Sequence, residues 1–298
     1  MKNLTAKPKK YLLIPALLCL CGLFLTAGGD QALVLQEMTW TDVEEYLKTN
    51  DMVIIPIGST EQHGPHMPLG TDFYEAFETC KLISQRTGVV VAPVVMAGYS
   101  VYHSGFAGSL SLKTETLGLV LFETAQMLTR YGFDKIMFFN YHGGNRTAEQ
   151  LAVHRINHET EAVAVTIGIG SPIHTESEPE AAPFDTHAGI NETSIMLYLK
   201  PELVHMDRAQ KPEITYSRRI AKLSGLIPQH PELGIVLGAF LGIPADTGKG
   251  GASHELSSNG VWSFGDPNEA TRERGERVIT RMVDAAVRLI ESWKLTEK

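Results

Sequence analysis

Four short apolar runs set the first limit on the fold: "MVIIPI" (52–57), "VVVAPVV" (89–95), "KIMFFN" (135–140) and "AVAVTIGI" (162–169). They are rich in β-branched or aromatic residues and lack polar alternation, the pattern of strands buried on both faces. Between them, Asp72 to Arg86, Thr114 to Tyr131 and Thr147 to His158 carry apolar residues near helical spacing, and Gly132 follows the second where a C-terminal cap belongs. Strand alternating with helix predicts right-handed crossovers and an α/β fold, a mainly parallel sheet with helices on both faces. Ligands of such sheets bind beyond the carboxyl ends of the strands.

The flanks are read the same way. "TWTDVEEYL" opens with a capping-box pattern, Thr41 with Glu44 three residues on, that starts a short helix. "RVITRMVDAAVRLIESW" has helical spacing and is expected to pack Val278, Met282, Leu289 and Trp293 on the core. The stretch from Lys211 to Ser258 reads as loop-like in places, with "IPQHPELG" and "DTGKGGASHELSSNG".

Lys2, Lys7, Lys9 and Lys10 precede "YLLIPALLCLCGLFLTAGG", the order of a secretory signal, with small residues for cleavage after Gly28 or Gly29. The alternative is an uncleaved anchor. The expected division is therefore 1–29 as signal peptide or N-terminal anchor and 30–298 as one domain. The product is exported, periplasmic or extracellular in a bacterium, or membrane-anchored in the alternative. Only Cys80 remains after cleavage, so no internal disulfide can form, and its helix context suits a buried apolar role. A net charge of -8 with no basic stripe beyond the first ten residues argues against nucleic acid as partner. A membrane contact is expected only through the N-terminal segment.

Chemistry concentrates where the first and third runs end. "GSTEQHGPHMPLGTD" follows "MVIIPI", and in extended chain Glu61 and His63, two apart, project together. Asp72 opens the next helix and can face back toward them across a Gly- and Pro-rich loop. "NYHGGN" supplies His142, with Gly143 and Gly144 allowing close backbone approach and Asn145 in place to cap the following helix. In "FDTHAGINETSIMLYL", His187 precedes an Ala-Gly pair, and Glu192 stands at a helix start, where the helix dipole alone would favour it. Carboxylates and imidazoles without thiolates suit zinc, manganese or iron. One or two such ions would activate a hydroxide and polarise a carbonyl, which is the chemistry of amide hydrolysis. His66 is read either as a partner of the ligands or as a surface residue, and His103 as a pocket residue or a loop histidine held by backbone. His154, His158, His174, His205 and His230 receive no role. Neither Ser59 nor Ser100 sits in a nucleophile elbow.

These motifs, together with "HAGINETS" and "NGVWSFGDP", make the chain resemble the creatininase (creatinine amidohydrolase) family from about Trp40 to the C-terminal helix. The resemblance implies a three-layer α/β fold, a divalent-metal centre, hydrolysis of a C–N bond in a small cyclic or linear amide, and a homo-oligomer, commonly a hexamer. It implies Glu61, His63, Asp72 and His142 as metal ligands, Asp72 as their bridge, and His187 as the proton-transfer residue. Where creatinine-hydrolysing members carry a glutamate this chain has Gly144, and Glu192 is the replacement ligand. The segment from Arg146 to Thr186 lacks the tryptophans that close over creatinine, and the usual "FPGT" is altered to Phe106-Ala107-Gly108-Ser109. The expected activity is attack of metal-bound hydroxide on an amide. The alternatives are a formamide or peptide-like amide as substrate, or an exported metal-containing binding protein without turnover.

Overall fold

The computed structural model describes residues 31–168 and 185–296. The leader reading and His174 lie outside them. No helix among the described residues is long and apolar enough to cross a membrane.

The predicted strands at Met52–Ile57 (β1) and Lys135–Asn140 (β3) form as read, and both are buried along their whole length. Strand β4 spans Val163–Gly168. The second run is a correction: only Val90–Val91 (β2) pairs regularly, and the rest contributes a single bridge from Val95 to Ile57. Pro93 lacks a backbone N–H, so the run cannot continue as a regular ladder.

All neighbours are parallel, in the order β2-β1-β3-β4. Successive side chains along a strand point to opposite faces. Val53, Ile55, Ile57, Ile136 and Phe138 therefore join one core and Met52, Ile54, Met137 and Phe139 the other. The first core is closed by Trp40–Leu47 (α1), Thr114–Tyr131 (α3) and Arg146–Glu159 (α4). The second is closed by Thr71–Thr87 (α2), Ile190–Leu199 (α5) and Arg272–Lys294 (α9). The layering is helix, sheet, helix, with Cys80 fully buried in the second core.

Two local readings change. Helix α1 is capped by Thr39 with Asp42, not by Thr41 with Glu44: the Thr39 hydroxyl accepts from the Asp42 N–H, and Asp42 accepts from the Thr39 N–H. The helix thus starts earlier than the hydrophobic pattern suggests. In α9, Met282 is buried as expected. The centre of the buried face runs through Ile279, Val283, Ala286 and Ile290, however, and Val278, Leu289 and Trp293 flank it partly exposed. The loop-like stretch holds two short helices, Arg218–Leu226 (α6) and Leu233–Gly238 (α7), and ends in Ser253–Leu256 (α8). A two-stranded antiparallel pair, Asp185–His187 (β5) with Trp262–Ser263 (β6), completes the described elements.

The strand order decides where a site can lie. From β1 the chain moves to one side to make β2, then crosses back to place β3 on the other side of β1. The crevice at such a reversal opens between the carboxyl ends of the two central strands. Here those ends lead into Gly58–His63 and Tyr141–Asn145.

A candidate metal centre

Asp72 reaches the crevice because α2 starts almost against the end of β1. A Cβ on Gly58 would lie 2.7 Å from the Phe73 backbone, so no side chain fits there. His142 is held by polar contacts beneath it. Asn145 does not cap α4; its amide donates to the Gly58 carbonyl (3.0 Å) and its oxygen accepts from the Tyr99 N–H (2.9 Å). The buried side chain ties three loops together instead of closing a helix. His187 and Glu192 are brought in by the turn from β5 to α5. There Ala188 takes φ +55°, a left-handed conformation that costs a non-glycine residue about 1 kcal/mol. The Ala188 N–H donates to Glu192 at 2.5 Å.

All six residues singled out in the sequence converge. Asp72 Oδ1 lies 3.2 Å from His63 Nε2, and Asp72 Oδ2 lies 3.1 Å from His142 Nδ1. Glu61 Oε2 is 3.3 Å from His142 Nδ1, and Glu192 Oε2 is 3.8 Å from His63 Nε2. His187 Nδ1 is 3.8 Å from Glu61 Oε1. Among the described residues, Glu61/His63/Asp72, His63/His187/Glu192 and Glu61/His103/His187 each bring three ligand atoms within 4.8 Å of one another.

The outward nitrogens determine what the inward ones can do. His63 Nδ1 donates to the Glu61 carbonyl (3.1 Å), and His142 Nε2 to the Tyr99 carbonyl (3.0 Å). In the neutral ring each inward nitrogen then presents a lone pair, as a metal ligand must. His63 Nε2 and Asp72 Oδ2 are buried without a hydrogen bond of proper geometry. A buried polar atom in that condition is costly unless something else pairs with it.

Charge tells the same story. Burial pushes the Glu61 carboxyl up, but the imidazoles of His103 and His142 prevail and hold it well below the ordinary carboxylate range. Burial and Glu61 push Asp72 up, and His63 and His142 hold it down. Burial pushes His63 down, yet Asp72, Glu192 and Glu61 lift it to about 10. His142 is likewise lifted, against burial, by Glu61 and Asp72. The nest demands positive charge that a divalent cation can supply while leaving the imidazoles neutral. His187 differs: burial, then His103 and His63, push it well below the ordinary imidazole range. Its Nε2 donates to the Gln62 carbonyl at 2.7 Å, so Nδ1 is the nitrogen free to exchange a proton.

Several site residues were not legible as such. His103 is a pocket residue, not a backbone-satisfied loop histidine. Its Nε2 lies 3.2 Å from Glu61 Oε1, and its Nδ1 contacts Ser253 Oγ (2.7 Å) and the Gln62 amide (3.2 Å). His66 is buried against Thr193 Oγ1 at 2.9 Å. The altered segment runs beside the Glu61 loop, with Ser109 Oγ accepting from the Gln62 N–H and Leu110 pairing with Thr60. A cavity of about 150 Å³ opens on the cluster, walled by Tyr102, Thr186, Ser253, Leu256 and Trp262. Trp262, from "NGVWSFGDP", supplies an aromatic wall from a part of the chain far from the tryptophan-free segment 146–186.

Comparison with known proteins agrees with the resemblance. The creatininase family model, creatinine amidohydrolase, matches residues 36–290. The mycofactocin precursor peptide peptidase of Mycolicibacterium smegmatis is 32% identical over 82% of this chain and 85% of its own length. The one of Mycobacterium ulcerans is 30% identical over 87% and 92%. Creatinine amidohydrolase of Pseudomonas putida is 30% identical over 58% of this chain and 74% of its own. Among solved structures, a creatininase mutant of Zn-Zn type superposes with TM-score 0.68 at 23% identity, covering 89% of this chain and 99% of that one. Creatininase Mn does so with TM-score 0.67 at 22% identity, covering 89% and 100%. A family match across most of the chain, on this fold and around this cluster of residues, makes the chain a hydrolase of the creatininase family.

Proposed function

We propose that the chain is a metal-dependent amidohydrolase that cleaves the C–N bond of a small amide. Glu61, His63, Asp72, His142 and Glu192 would hold one or two divalent ions, zinc first, with manganese or iron as alternatives. The observation that carries this reading is the orientation of the imidazoles: His63 and His142 turn donor nitrogens to backbone carbonyls and their other nitrogens to a shared carboxylate, Asp72. The two oxygens of Asp72 face one imidazole each, the arrangement a bridging ligand needs. A divalent ion in such a site acidifies a bound water and polarises a carbonyl. The protein's own part is to orient the amide in the cavity and to move a proton. His187 does the latter at Nδ1, as a neutral imidazole placed beside Glu61.

A peptide-like amide is the second substrate reading, favoured by the peptidase names of the relatives that cover most of this chain. Creatinine is less favoured, because position 144 is glycine and the aromatic wall comes from Trp262. The test is metal analysis of the purified chain, followed by a screen of lactams, formamides and short peptides. Near-stoichiometric zinc, manganese or iron with turnover of an amide, abolished in His187→Ala with metal retained, is expected. Full activity in metal-free protein would overturn the proposal.

A further inference from the structure

We propose that the Tyr102 hydroxyl is a catalytic hydrogen-bond donor to the carbonyl oxygen of the scissile amide. This rests on the hydrolase reading above and assigns a residue outside the ligand set and His187.

The argument starts at Gly144. A Cβ there would lie 2.2 Å from the Tyr99 carbonyl oxygen, 2.5 Å from His142 Nε2 and 2.8 Å from the Tyr102 hydroxyl. The first two atoms are backbone and a braced ring, so no side chain at 144 is compatible with this packing. The phenol of Tyr102 borders the space that a longer residue at 144 would enter, and it lines the cavity beside His142 and Gly143.

The direction of its hydrogen bond follows from its neighbours. His142 Nε2 lies 3.0 Å from the Tyr99 carbonyl, 3.2 Å from the Tyr102 hydroxyl and 3.3 Å from Ser100 Oγ. A carbonyl oxygen has no hydrogen, so Nε2 must carry it. In the neutral ring that a bound cation would favour, the same tautomer turns a lone pair toward Glu61 and Asp72. A protonated Nε2 has no lone pair in the ring plane, so it cannot accept from the Tyr102 hydroxyl, whose oxygen can at most share that N–H with the Tyr99 carbonyl. Its own hydrogen is left over, and among the described residues no other acceptor is bonded to it. A partly buried donor at the cavity wall, beside the ligand set, stabilises negative charge that develops on a substrate oxygen more than it stabilises the neutral carbonyl.

The step balances without proton transfer from Tyr102. The water oxygen bonds to the carbonyl carbon, and the C=O π pair moves to oxygen, where the phenol O–H meets it. The pair returns as the C–N bond breaks with its electrons on nitrogen; His187 takes one proton of the attacking water and passes it to that nitrogen, and the carboxylic acid product releases the other to solvent.

The test compares zinc-loaded full-length wild type with Tyr102→Phe, which keeps the ring. Zinc content is measured by elemental analysis, and affinity for methylphosphonate, a tetrahedral oxyanion, by calorimetry. Turnover is followed on whichever amide the wild type hydrolyses. The expected result is unchanged zinc, methylphosphonate bound about 10-fold more weakly, and kcat reduced about 100-fold with little change in KM. Equal methylphosphonate affinity in both proteins, or none in the wild type, would overturn the assignment. Loss of zinc in Tyr102→Phe would also overturn it, making the phenol a positioning residue for His142. Weakened methylphosphonate binding in a protein that cleaves no amide would uphold the donor and sink the hydrolase substrate reading instead.

Discussion

Along β1, Val53, Ile54, Ile55 and Ile57 are inaccessible to solvent, and just beyond them Ser59, Glu61 and His63 are equally so. The strand interior exchanges apolar surface for packing and satisfies its backbone in the parallel ladder. The loops past its end bury carboxylates and imidazoles and leave some of their atoms without proper hydrogen bonds. Burial stabilises the first region and strains the second. The same sheet thus carries its stability in its strands and its chemistry at their ends. The two should respond differently to substitution.

The largest effect is expected in the strands. Phe138→Ala, in the fully buried centre of β3, should cost about 3–5 kcal/mol in urea unfolding, with metal stoichiometry unchanged in the folded fraction. A loss of metal without loss of stability would break the division between the regions. Metal should come next. Zinc at roughly 100 times its Kd should add about 2.7 kcal/mol to the wild type and nothing to Glu61→Gln/His142→Ala. The metal-free forms of both should unfold within about 1 kcal/mol of each other if the ligand nest contributes little stability by itself.

Glu149 offers a pH-dependent version of the comparison. It is buried on α4, accepting from the Asn140 amide at 3.1 Å, and burial lifts its carboxyl from 4.5 to about 8. Between those values an unfolded chain has given up a proton that the folded chain retains, so stability falls as pH rises, by up to about 1.4 kcal/mol per unit, and levels off above about 8. Glu149→Gln should flatten that decline in denaturation midpoints measured from pH 5 to 9; an identical slope would show that other groups set it. The smallest effect concerns Glu75, one turn after Asp72. It is buried with neither oxygen hydrogen-bonded, and burial, Glu192 and Asp72 push its carboxyl well up. Glu75→Leu should stabilise the metal-free protein by about 1 kcal/mol. Destabilisation would mean that Glu75 has a supporting role that its lack of hydrogen bonds conceals.

The sequence alone determined the parallel core, because strands buried on both faces must be short and continuously apolar. It also pointed to Glu61, His63, Asp72, His142, His187 and Glu192, because they stand in the motifs that carry the family resemblance, and pattern places the Glu61, His142 and Glu192 segments at strand ends or a helix start. Pattern failed where loops meet loops. Thr39 displaced Thr41 as the cap of α1 through another local pair three residues apart, whereas Asn145, at the N-cap position of α4, sends its side chain to the Gly58 and Tyr99 loops because tertiary hydrogen bonds there replace the local cap. Only the tertiary structure decided that His103 and Trp262 enter the site, that position 144 has no room for a side chain, and that His63 and His142 each turn one nitrogen to a backbone carbonyl and the other to Asp72. Those outcomes depend on distances between segments far apart in the chain, set by packing around the reversal between β1 and β3, and no local spacing encodes them.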